Sequence, residues 1–115
     1  MVNNRRRGHS WELNVIHDLK SIGYDKAVSS RQESRSLDAQ KVDVCYTEPF
    51  NFQCKVHTQK VDYPKILSEM PKSGINVVLH KYAIRNKTNF ITMGKYAILD
   101  YNDFLSLVHD LRQRT

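Results

Sequence analysis

The chain has 115 residues, 40% hydrophobic and 26% charged, which fits one domain with one modest core and excludes collagen-like, low-complexity and disulfide-scaffold classes. A net charge of +6 with a pI near 9.4 points to a polyanionic partner. No apolar run approaches the roughly 18 residues that span a bilayer, and the polar start MVNNRRRGHS lacks a signal-peptide core, so a cytoplasmic protein with no membrane partner is expected.

Residues 1–7 are polar and basic, with Arg5, Arg6 and Arg7 in a run, and are expected to be a flexible arm, either solvated or touching the polyanion. From Ser10 as N-cap, Trp11, Val15, Ile16, Leu19 and Ile22 recur at helical spacing up to Gly23, which supplies the stop. Glu12 lies four residues before Ile16 and seven before Leu19, on the side of the apolar stripe. A carboxylate facing inward is costly unless it is paired or binds a cation. Its alternative use is to complement the positive end of the helix or to cap the Ser10 backbone.

Lys26 to Ser30 reads as a short edge strand, and Arg31 to Gln40 as an irregular polar loop of the kind that contacts substrate. Ser30 and Ser34 are its candidate hydroxyl donors to phosphate. Lys41 to His57, KVDVCYTEPFNFQCKVH, reads as a β-hairpin whose turn, Thr47 to Asn51, is set by Glu48-Pro49. Strand alternation puts Asp43 on one face of the first strand and Gln53 with Lys55 on one face of the second, while Phe52, Cys54 and Val56 point into a core. Cys45 and Cys54 form no CxxC or Cys/His pattern, so they are read as buried thiols and no zinc site is expected.

Beyond His57, Asp62 is placed to cap a short helix from Tyr63 to Met70, stopped by Pro71. Ile75 to Tyr82 is almost continuously apolar and reads as a strand buried on both faces. Arg85 to Asn89 turn the chain, Phe90 to Met93 and Lys95 to Leu99 supply strands around Gly94, and Asn102 caps a last helix striped by Phe104, Leu105, Val108 and Leu111. The order of elements implies an α/β domain: a central mixed β-sheet flanked by α-helices.

An acid, an amide and a lysine converging on one hairpin make an oxygen-donor cation site beside a positive charge, the arrangement that phosphodiester hydrolysis uses. Asp43, Glu12 and Gln53 would hold Mg²⁺ or Mn²⁺, and Lys55 would orient the nucleophile or meet transition-state charge. Arg5, Arg6, Arg7, Ser30, Arg31, Arg35, Lys41, His57 and Lys60 surround these four as candidate DNA contacts. The ordinary alternatives are a solvated strand lysine at Lys55 and a turn acid at Asp43.

Arg7-Gly8 followed by Glu12, then Val42-Asp43-Val44, then Gln53-Cys54-Lys55 resemble the PD-(D/E)xK nuclease superfamily, and within it the archaeal-type Holliday junction resolvases and their phage-encoded relatives. The resemblance covers roughly residues 5–60. It implies a restriction-endonuclease-like single domain, a metal-linked glutamate on the first helix and DNA engagement by the serine-containing loop. It also implies a homodimer cutting four-way junctions. Gln53 departs from the usual carboxylate; its carbonyl oxygen still serves Mg²⁺ but brings no charge, and Glu12 or Asp38 is a candidate to supply it. Two other readings stay open: a restriction-like or repair nuclease acting on duplex DNA, and a non-catalytic DNA-binding module with a decayed metal site.

Overall fold

A computed structural model describes residues 4–57 and 61–115. The first helix, α1 (Asn4–Ser21), is longer than its apolar stripe. Residues 4–7, expected to be a flexible arm, are helical, and Ser10 lies inside the helix instead of capping it. Arginine is a good helix former, and the Arg7 guanidinium sits 3.9 Å from the centre of the Phe90 ring, tying the first turns to the sheet. Gly23, at φ +120°, ends the helix as expected, with the Tyr24 N–H returning to the Leu19 carbonyl at 3.0 Å. Ile22 falls beyond the last turn and is exposed, so it drops out of the stripe.

A two-residue strand, β1 (Val28–Ser29), is followed by two short helices, α2 (Ser30–Glu33) and α3 (Arg35–Ala39). The stretch 31–40 is therefore not the irregular loop that its polarity suggests. Such short helices need local capping more than an apolar stripe, and Ser34 supplies it: its N–H closes α2 on Ser30 and its Oγ accepts the Leu37 N–H of α3 at 3.2 Å.

The hairpin expected over 41–57 is also broken. β2 (Val44–Cys45) pairs antiparallel with β1, Val28 opposite Cys45 and Ser29 opposite Val44. β3 (Phe50–His57) belongs to a separate three-stranded mixed sheet. There it runs parallel to β4 (Ile75–Asn86), in register from Phe50 opposite Ile75 to His57 opposite Tyr82. β4 in turn pairs antiparallel with β5 (Asn89–Leu99). These two strands are longer than expected. The turn shrinks to Lys87 and Thr88, and β5 continues through Gly94 by leaving Met93 unpaired in a bulge.

Between β3 and β4, α4 (Tyr63–Ser68) is capped by Asp62 as expected, its carboxylate accepting the Lys65 N–H at 3.3 Å. The last helix, α5 (Tyr101–Gln113), is capped by Asp100 and not by Asn102: the Asp100 carboxylate accepts the Asn102 and Asp103 N–H groups at 3.0 and 3.3 Å. A carboxylate there also meets the positive end of the helix dipole.

The core forms where α1 lies on the sheet. Trp11, Val15, Ile16 and Leu19 pack with Ala27, Val44, Phe52 and Val77, and Cys54, Val56 and Leu79 border them. The alternation read for β3 holds: Phe52, Cys54 and Val56 face α1, which leaves Gln53 and Lys55 on the other side of the strand. Trp11 anchors this layer through its indole N–H, which donates to the Leu79 carbonyl at 2.9 Å. Trp11→Ala should cost about 3–5 kcal/mol, and Trp11→Phe, which keeps most of the volume but orphans the carbonyl, about 1–3 kcal/mol, as read by urea denaturation.

Candidate metal and phosphate site

Asp43 stands immediately before β2, at the point where the two strand systems separate, and its polar groups are divided between them. Its N–H donates to the Phe52 carbonyl at 2.8 Å, its carbonyl accepts the Ser30 N–H at 3.0 Å, and its carboxylate Oδ2 accepts the Cys54 N–H at 2.7 Å. The side chain thus takes a ladder position that a backbone carbonyl would otherwise fill. Asp43 is held on β3 by the residues on either side of Gln53.

Glu12 reaches the same region from α1. It is 3% exposed, as its place in the apolar stripe predicts, and its Oε2 accepts from Arg31 Nη2 at 3.1 Å. Burial raises the Glu12 pKa, and the neighbouring Asp43 carboxylate raises it further, against the pull of Arg31 and His9. Burial likewise raises Asp43, opposed by the Cys54 N–H and by the charge of Lys55. The structure therefore brings Asp43 within electrostatic reach of both Glu12 and Lys55. Asp38, on α3, adds negative potential at both acids while itself exposed. The Cys54 thiol is pushed up by burial and by the two acids, which keeps it protonated and inert.

Two side-chain oxygens on these elements are buried and accept no hydrogen bond, Glu12 Oε1 on α1 and Gln53 Oε1 on β3. Oxygen donors that carry charge or a strong dipole suit a hard divalent cation, so Glu12, Asp43 and Gln53 fit such an ion by donor type. Among the described residues no group of three or more His, Cys, Asp or Glu is placed to hold a metal. The donor set is two carboxylates and an amide, with backbone or solvent oxygens needed to complete it.

The surrounding candidates are distributed unevenly. Ser30, read as a phosphate donor, is fully buried, and its hydroxyl donates to the Val42 carbonyl. With its N–H on the Asp43 carbonyl as well, it clamps the backbone, so that both of its donors are already engaged. Arg31 is half exposed but committed to Glu12, and Arg7 is stacked on Phe90. Arg6, Arg35, Lys41 and His57 are exposed. The described side chains begin at Arg6, and Lys60 also lies outside the described residues, so neither Arg5 nor Lys60 is placed. His80 went unmarked in the sequence because it sits in an apolar run. It lies opposite Lys55 on β4, its ring 6.1 Å from that of His57, with Nε2 buried and without a partner.

Compared with protein-family models, curated proteins and solved structures, the chain matches none. No helix among the described residues is long and apolar enough to cross a membrane.

The two raised acids have a consequence for stability. Each holds its proton more firmly folded than unfolded, so without metal the stability should fall as pH climbs from the ordinary carboxylate range through the raised values. Thermal denaturation of wild type from about pH 4 to pH 8 should show this decline. Asp43→Asn, which keeps an acceptor for Cys54, should flatten the profile. Ser30→Ala should lower stability by about 1–3 kcal/mol through two unsatisfied groups while leaving DNA affinity unchanged in a filter-binding titration.

Proposed function

We propose that this protein is a divalent-metal-dependent, structure-selective DNA endonuclease of restriction-endonuclease-like fold that hydrolyses phosphodiester bonds at branched DNA, four-way junctions above all. The observation that carries the reading is the proximity of buried Glu12 to half-buried Asp43, with Lys55 acting on Asp43 and with Glu12 Oε1 and Gln53 Oε1 left without hydrogen-bond partners. Two neighbouring acids withdrawn from solvent are unfavourable in the absence of a cation, and perturbed carboxylates of this kind mark candidate binding sites.

Glu12, Asp43 and Gln53 would hold the Mg²⁺ or Mn²⁺ ion, which when bound supplies Lewis acidity and charge neutralisation at a phosphate. The protein's own contribution is preorganisation. The Cys54 N–H fixes the Asp43 carboxylate, Arg31 fixes Glu12, and β3 presents the Lys55 ammonium beside Gln53, where negative charge would grow on the phosphoryl oxygens. The exposed Arg6, Arg35, Lys41 and His57 would track the sugar-phosphate backbone without reading bases. Junction preference then follows from backbone shape and from a two-fold homodimer, which sets two identical sites at fixed separation.

In a cleavage gel with synthetic four-way junctions, wild type should cut in Mg²⁺ or Mn²⁺ and not in EDTA. Asp43→Asn and Lys55→Ala should each reduce the rate by roughly 10²–10³-fold, with junction binding retained. Wild type that leaves junctions, flaps and duplexes intact in both metals would refute the enzymatic reading.

A second reading, a non-catalytic DNA-binding module, is favoured by one observation: Arg31 already neutralises Glu12, and Gln53 brings no charge. Calorimetry separates the two, since only the nuclease should show a Mg²⁺ or Mn²⁺ site that disappears in Asp43→Ala.

A further inference from the structure

The last helix is the least supported element of the fold. None of the 13 residues of α5 is buried, and Tyr101 and Leu111 are 71% and 65% exposed. Phe104, Leu105 and Val108 are exposed with them. An isolated helix of three to four turns is marginal in water, and its stability in a protein comes from packing of its apolar face. Here the apolar face points away from the body.

We infer that the apolar face of α5 pairs antiparallel with α5 of a second copy of this chain across a two-fold axis. Three features of the helix select this occupant. Tyr101, Phe104, Val108 and Leu111 recur at alternating spacings of three and four residues, the seam that one helix presents to another. Its charges are polarised on balance, with Asp100 and Asp103 at the start and, at the end, Arg112 and Arg114 outweighing Asp110. An antiparallel copy therefore sets each acidic, dipole-positive end against the partner's basic, dipole-negative end.

The third feature is area. The five apolar side chains expose roughly 500 Å² per copy, so a pair removes about 1,000 Å², the lower bound for a specific interface. The neighbouring β5 edge is not the competing surface. Its Met93 bulge and Lys95 are the devices that keep an edge strand from adding another strand.

About the two-fold axis Tyr101 meets Leu111 of the second copy, and Phe104 meets Val108. This gives a surface to the dimer that the proposed function requires, and it rests on that reading only for its purpose. The helix makes the case for assembly without DNA or metal.

Sedimentation equilibrium of the full chain in EDTA, without DNA, tests it. From about 1 to 100 µM the wild type should show a species of twice the 13.5 kDa chain mass. Phe104→Glu with Leu111→Glu should raise the dimer dissociation constant by roughly 100-fold or more. Because those side chains are exposed in a single copy, unfolding of the body should be unchanged.

Tyr101→Cys and Leu111→Cys chains, mixed and oxidised, should cross-link to each other far more than either does alone, a readout that holds even if the charged variant misfolds. A wild type that stays monomeric, a dimer indifferent to the double substitution, or cross-linking of each cysteine variant only with itself would overturn the inference. None of these results bears on whether the chain cuts DNA.

Discussion

The split hydrogen bonding of Asp43 is the constraint on which the rest of the site depends. Its carbonyl turns toward Ser30 and the small β1–β2 ribbon, so its carboxylate, not its backbone, receives the Cys54 N–H of β3. One residue therefore joins two strand systems that are otherwise separate. The same act strips the carboxylate of rotational freedom and fixes it beside the strand that carries Gln53 and Lys55. Ser30 completes the joint by bonding the carbonyls on both sides of the Val42–Asp43 peptide bond, which explains why a serine among charged neighbours is fully buried.

Around this joint the fold concentrates negative charge inside and positive charge outside. Burial raises the proton affinity of both Glu12 and Asp43, Asp43 raises that of Glu12 further, and Arg31, His9, Lys55 and the Cys54 N–H work against the rise. Acids arranged this way lower the stability of the fold at pH values where both are ionised. Most of the net +6 lies elsewhere on the chain, where it favours a polyanion at long range and costs little locally.

The chain is also asymmetric in its packing. The core is built by α1 against β3 and β4, whereas β5 and α5 carry most of the exposed large apolar side chains. The Cα radius of gyration, 14.8 Å, exceeds the roughly 13 Å of a compact chain near this length. The α1-centred body buries its apolar face in its own interior, whereas the last helix leaves its apolar face exposed.

Periodicity and residue chemistry in the sequence determined the α1 stripe, the inward placement of Glu12, the inward and outward faces of β3, and the existence of the long strands and the last helix. All of these depend on neighbours within a few positions along the chain. Tertiary structure alone decided that Ser30 clamps a backbone and that Arg31 is committed to Glu12. It alone broke the hairpin at Asp43 and set His80 beside His57. These features are contacts between residues 11 to 23 or more positions apart, whose partners are chosen by how elements pack, and no local pattern of side chains encodes them.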